Sequence, residues 1–274
     1  MSETSRRSRI SKIEGIAFED SGPTDGRGPA LLFGHSLLFD RRMWAPQVAE
    51  LSREFRCVAI DFPGHGESDE PARGHSMLDN TEAYRKVMDH LGIESAFVVG
   101  LSMGGMAAMP LALGHPGRVR GLVLMDTSAD PEPGPARARN QAMAVTARLF
   151  GVSDFIMKRV NDLMWSRRFQ QERPELVAEW AVRVKALPRR SIYRAVGAVM
   201  GRKGLGARVG EIRCPTLVIV GDEDKATPVA VNERIAASIA GAELKVLPRT
   251  GHIANLEESE VVTKLIRAFV TRVG

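Results

Sequence analysis

Short apolar runs recur along this chain, separated by longer stretches whose apolar residues fall at helical spacing. Pro29–Phe33, Arg56–Ile60, Ala96–Val99, Leu122–Met125, Thr216–Val220 and Glu243–Leu247 read as strands, most of them apolar on both faces. Met43–Ser52, Asp79–Leu91, Met103–Leu113, Val229–Ile239 and Ser259–Arg272 read as helices. Ile13–Asp20 alternates loosely and runs into Ser21-Gly22-Pro23, which predicts an edge strand or hairpin and then a turn. Buried strands alternating with helices build a mostly parallel sheet covered on both faces, so the expected class is α/β.

The alternation stops between Asp126 and Cys214. Nothing there reads as a strand, whereas Arg137–Leu149, Asp154–Trp165, Pro174–Leu187 and Ile192–Met200 read as helices. Pro131, Pro133 and Pro135 lead into this stretch, and Gly201, Gly204, Gly206 and Gly210 lead out of it. It is read as a helical lid, residues 129–209, inserted into one core built from residues 1–128 and 210–274.

The chain has 274 residues, 44% of them hydrophobic, which is ample for one such core. The net charge of +5 is unevenly placed: residues 129–209 hold 16 Lys+Arg against 7 Asp+Glu, and the remainder holds 22 against 26. The arginines are not interleaved with aromatic residues and no nucleic-acid motif is present, so they read as solvated helix faces and not as a nucleic-acid surface. No apolar run approaches the length of a membrane span. Met1–Ser11 is polar, carries Arg6, Arg7 and Arg9, and lacks the apolar segment that an export signal needs. It reads as the disordered tail of a cytoplasmic protein. Cys57 and Cys214 each sit at or beside a predicted strand and outside any C-x-x-C, as buried free thiols would.

One predicted strand–helix junction carries candidate chemistry. Phe97–Gly105 reads F-V-V-G-L-S-M-G-G, a G-x-S-x-G pattern centred on Ser102. A serine hydroxyl becomes a useful nucleophile when a base takes its proton and a sharp turn presents its oxygen. Glycines two residues to either side remove side chains that would collide across such a turn. The turn also opens a helix, so the amide of Met103 is placed to stabilise an oxyanion. The base expected is His252, in R-T-G-H-I-A after a late strand and before the last helix. The orienting acid is Asp224, in V-G-D-E-D-K-A-T-P after the strand Thr216–Val220, or its rival Asp126, which ends Leu122–Met125; Asp222 and Glu223 are also near. A second oxyanion donor is expected from the loop G-H-S-L-L after Phe33, at the amide of Leu37. Ser36, Leu38, Trp165 and Ile253 are the expected substrate contacts. His65, between two glycines well before the nucleophile, reads as a structural turn residue.

These features together resemble the α/β-hydrolase superfamily from about Gly15 onward. The matching residues are Gly34-His35, the D-x-x-G-x-G-x-S loop Asp61–Ser68, the elbow at Ser102, G-x-x-D-x-x-x-P over Gly221–Pro228, and Gly251-His252. The resemblance implies a Ser102–His252–Asp224 triad, since the family's acid follows the strand after the lid, and it implies no metal or organic cofactor. Within the superfamily, G-L-S-M-G-G-M and L-V-L-M-D-T-S look like the 3-oxoadipate enol-lactonase and small carboxylesterase group. The implied function is cleavage of a small-molecule carboxylic ester or lactone. Carbon–carbon hydrolysis, cofactor-free haloperoxidase or perhydrolase chemistry, and a non-catalytic receptor are the alternatives. Enol-lactonase-like relatives act on carboxylate-bearing substrates, which makes Arg167 and Arg168, beside Trp165, candidate partners for that group. One departure stands out: Ser36 replaces the glycine that usually follows the first-loop histidine.

Overall fold

The computed structural model describes residues 9–23 and 28–274. One eight-stranded sheet runs through it. Its strands are β1 (Arg9–Ile13), β2 (Ile16–Ser21), β3 (Ala30–Gly34), β4 (Arg56–Ile60), β5 (Ala96–Leu101), β6 (Val119–Met125), β7 (Thr216–Gly221) and β8 (Glu243–Leu247). Their spatial order is β1-β2-β4-β3-β5-β6-β7-β8. The β1–β2 and β2–β4 pairings are antiparallel and all others are parallel. The class is therefore α/β, as the pattern predicts.

The first core helices are α1 (Ala45–Leu51), α2 (Met77–His90) and α3 (Met103–Gly114). Between β6 and β7 come α4 (Gly134–Phe150), α5 (Asp154–Met164), α6 (Arg167–Glu172), α7 (Pro174–Ala186) and α8 (Arg189–Met200), with no strand among them. The chain then forms α9 (Val229–Ser238), the short α10 (Ala254–Glu257) and α11 (Ser259–Val273).

Strand periodicity divides the core in two. Leu32, Val58, Val98, Leu122 and Val218 point to one face, where they join Tyr84 and Val87 of α2 and Met103 and Ala107 of α3. Their chain neighbours Leu31, Cys57, Phe97, Val123 and Leu217 point to the other face, against Val48 and Leu51 of α1 and Val262 and Ile266 of α11. Both faces are buried, which explains why the central strands read as unbroken apolar runs.

Three expectations change. The tail expected over Met1–Ser11 lies outside the described residues as far as residue 8, and Arg9–Ser11 belong to β1. That strand forms a hairpin with β2 through Glu14 and Gly15, both at positive φ (46° and 80°), which suits a tight turn. Helix α6, started by Ser166 accepting from the Phe169 amide, is too short to show a period in sequence. Both cysteines are free, but only Cys57 is fully buried; Cys214 is half-buried. Among the described residues no helix is long and apolar enough to cross a membrane.

Candidate active site

The turn from β5 into α3 is tight enough to explain its sequence. Ser102 sits between them at φ 52° and ψ −111°, a strained conformation for a residue with a side chain. Its amide donates to the Met125 carbonyl at 2.8 Å, and its carbonyl accepts from the Thr127 hydroxyl at 2.7 Å. A Cβ on Gly100 would lie 2.4 Å from the Gly104 carbonyl carbon, and one on Gly104 would lie 2.2 Å from the Gly34 oxygen. β5, α3 and the end of β3 thus touch backbone to backbone around Ser102. Met103 occupies the first turn of a 12-residue helix, where amides have no acceptor within the helix. Neither its amide nor that of Leu37 donates to another described residue.

His252 and Asp224 meet from the loops after β8 and β7. The His252 Nδ1–H donates to Asp224 Oδ2 at 2.9 Å, with both side chains buried. That bond fixes the tautomer and leaves Nε2 with a lone pair. The His252 backbone is held by its amide donating to the Met164 carbonyl at 3.0 Å. Asp224 also accepts from the Ala226 amide (2.8 Å), the Thr227 amide (2.9 Å) and the Thr227 hydroxyl (2.8 Å). Burial opposes its charge, but His252 and the donors of Thr227 outweigh burial and hold the carboxyl below its usual range.

Asp126, the rival acid, is spent elsewhere. Its Oδ1 accepts from the Gly221 amide at 2.9 Å, which ties the end of β6 to the end of β7. Its Oδ2 has no partner, and burial together with nearby Asp224 pushes its carboxyl well above the usual range. Two further side chains that sequence reading passed over hold the site in place. Glu257 accepts from the amides of Ser166 (2.9 Å) and Gly251 (3.1 Å), joining the helical insertion to the histidine loop. Asn232 accepts from the Thr127 amide and donates to the Thr227 carbonyl. Their only sequence signals are a polar residue in an apolar stripe (Asn232) and an acid just past His252 (Glu257).

Ser102, His252 and Leu37 line one cleft of about 420 Å³, together with Met106, Met164 and Met200. A larger cavity of about 530 Å³ shares Met106, Ser128 and Arg202 with it but is lined by neither Ser102 nor His252. The other expected contacts lie elsewhere. Trp165 is buried in the core, its ring stacked on Phe169 at 5.2 Å and edge-on to Phe39 at 5.9 Å. Ile253 is fully buried in the same cluster. Leu38 lines a neighbouring chamber. Ser36 is fully buried, its amide donating to Met43 Sδ at 3.3 Å and its hydroxyl without a partner. Arg168 pairs with Glu258 and with Glu172, Arg167 is exposed, and neither lines the cleft. The cations that do are Arg139, Arg202, Lys225 and Arg234, alongside Asp130 and Glu132.

The remaining loop residues are structural. His35 donates from Nδ1 to the Ser36 carbonyl at 2.8 Å and accepts at Nε2 from the Phe62 amide at 2.9 Å, which requires a neutral ring. His65 packs on it at 4.9 Å between ring centres, and burial keeps its basicity low. Asp61, fully buried, pairs with the Arg41 guanidinium and accepts from the amides of Arg41 (2.7 Å) and Glu67 (2.9 Å). Among the described residues no group of three or more His, Cys, Asp or Glu is arranged to hold a metal ion.

Comparison with known proteins agrees with this architecture. A family described as having the alpha/beta hydrolase fold matches residues 29–259. The chain is 27% identical to 3-oxoadipate enol-lactonase 1 of Acinetobacter baylyi over 93% of its own length and 92% of that protein. It is 28% identical to a protein of Caulobacter segnis named as a carbamate hydrolase, RutD, over 94% of its length and 97% of the relative. Among solved structures, a thermophilic esterase from Thermogutta terrifontis, with malate bound, superimposes with a TM-score of 0.88 at 29% identity, covering 97% of each chain.

Proposed function

This chain belongs to the α/β-hydrolase fold family, and from that premise we propose that it cleaves a carboxylic ester or lactone through an acyl-enzyme. The observation that carries the reading is the buried His252–Asp224 hydrogen bond opening onto the cleft that holds the strained Ser102. In this reading His252 Nε2 takes the Ser102 proton as the oxygen attacks the carbonyl carbon. The amides of Leu37 and Met103 hold the oxyanion, each contributing about 3 kcal/mol to the transition state. When the tetrahedral intermediate collapses, the carbon–oxygen bond to the leaving alcohol breaks and His252 returns the proton to it. Water then repeats the cycle on the acyl-enzyme. Asp224 holds the imidazole in the tautomer that can accept from serine and stabilises the imidazolium that forms.

The ester-cleaving relatives support this substrate class, whereas the relative named for carbamate hydrolysis would use the same attack on a different carbonyl. The test is rapid-mixing turnover of a p-nitrophenyl ester. Acyl-enzyme chemistry predicts steady turnover, preceded by a burst of one nitrophenol per chain when deacylation is slower than acylation. Absence of turnover across esters, lactones and carbamates would leave the fold without this activity.

A further inference from the structure

Adjoining the cleft, among helices α4, α5, α7 and α8, is a separate chamber of about 80 Å³. Its walls include Ala144 and Ala147 of α4, Ile156 and Val160 of α5, Val196 of α8, and Leu38 of the first loop. Asn140 is its one polar side chain and stands where chamber and cleft meet, its amide directed at Met200 Sδ at 3.6 Å. Every other lining side chain is apolar and none is charged. Leu37, Asn140, Leu163, Met164 and Met200 line both spaces, so chamber and reacting cleft adjoin across these five side chains. A water inside would find few polar partners, so such a space is best filled by an apolar group.

We propose that this chamber receives the acyl chain of the substrate, so that the enzyme prefers esters of short, unbranched aliphatic acids. The proposal rests on the hydrolase reading for which arm enters. If the Leu37 amide holds the oxyanion, the carbonyl carbon lies beside Leu37, and its acyl substituent meets the side chains that cleft and chamber share. The leaving alcohol faces His252, which lines the cleft with Lys225–Pro228 and does not line the chamber. A small chamber accepts few methylenes, and each one moved out of water improves the specificity constant by about fourfold until the space is full. Ala144 and Ala147 of α4 and Ile156 of α5 form part of its wall, so their size sets how much of the chamber is open.

The experiment measures kcat/KM for p-nitrophenyl acetate, butanoate, hexanoate and decanoate, with two variants. The wild type should rise from acetate to an optimum at butanoate or hexanoate and fall at decanoate. Ala147→Leu, which fills the chamber, should lower the hexanoate-to-acetate ratio at least about tenfold, the equivalent of roughly two lost methylenes. Ile156→Ala, which enlarges it, should move the optimum to a longer chain, and it carries the test if the leucine variant does not fold. Chain-length profiles unchanged in the folded variants would overturn the proposal. So would a length dependence confined to the alcohol arm, compared with a series of alkyl acetates. If wild type turns over no ester, calorimetric binding of 1-hexanol separates the two ideas. Binding lost in Ala147→Leu keeps the apolar chamber while the hydrolase reading falls, and no binding removes both.

Discussion

Two aspartates end neighbouring strands, and the side chains around them give opposite electrostatic outcomes. Asp224 accepts four hydrogen bonds, one of them from His252, and its carboxyl is held low. Asp126 accepts one, leaves an oxygen unpaired, and its carboxyl is raised. Asp224→Asn should therefore lower kcat by a factor on the order of 10⁴, as the same change does in a serine protease, because the amide favours the wrong imidazole tautomer. Asp126→Asn should stay close to wild type in kcat. A dead Asp126→Asn enzyme beside an active Asp224→Asn enzyme would reverse the assignment. Stability should separate the pair as well. A carboxyl raised on folding contributes stability at low pH that is lost as pH climbs through its folded value. The melting temperature of Asp126→Asn relative to wild type should therefore rise as pH climbs above the ordinary carboxylate range, about pH 4; a flat difference would mean that Asp126 is not raised. Sequence spacing left both acids open and only the resemblance chose between them, because which carboxylate reaches a histidine depends on how two loops fold over the sheet edge. The same limit displaced Trp165 and Ile253. Both stand beside real features of the site in sequence, but neighbours in a chain need not face the same side, and these two face the core.

At the scale of elements, the signals that worked were those with a period or a steric demand. β4 and β8 fall where the apolar runs place them, and Gly100 and Gly104 stand where two backbones touch. β1 was missed because its alternation is short and its arginine-rich approach reads as a tail. The loop Asp61–Ser68 was legible as a turn but not as the buried ion pair it contains, since Arg41 comes from a distant segment. Arg41 and Asp61 are 3% and 0% exposed, so neither charge is screened by solvent. Arg41→Met should leave Asp61 charged, buried and short of its cation, destabilising the fold by about 3–5 kcal/mol in urea unfolding. A loss below about 1 kcal/mol would show that the loop amides satisfy Asp61 alone.

For the whole molecule, the basic excess of residues 129–209 is spread over ion pairs and exposed helix faces. Arg173–Glu175, Arg183–Glu179 and Lys185–Asp154 account for part of it. Exposed pairs of this kind contribute little to stability. Arg202 differs: its side chain is 7% exposed, its Nε has no partner, and its contact with Glu132 is a long 3.5 Å. If substrate carries a carboxylate, Arg202 offers it a buried guanidinium N–H with no other partner, in place of Arg167 and Arg168. The specificity constant for a monoanionic ester should then exceed that of its methyl ester at low salt, with the advantage shrinking as ionic strength rises. Equal use of the two at low salt would return these charges to the role of solvated surface.

An acyl-enzyme of this chain would carry its acyl group on Ser102 Oγ, and a serine-directed probe reports on that oxygen. A fluorophosphonate probe, followed by peptide mass spectrometry and ester assays, should label one site per chain at Ser102 and abolish turnover in step with labelling. Ser102→Ala should take no label and lose turnover by a factor on the order of 10⁶. Labelling at another residue, or ester hydrolysis that survives intact in folded Ser102→Ala, would contradict the account.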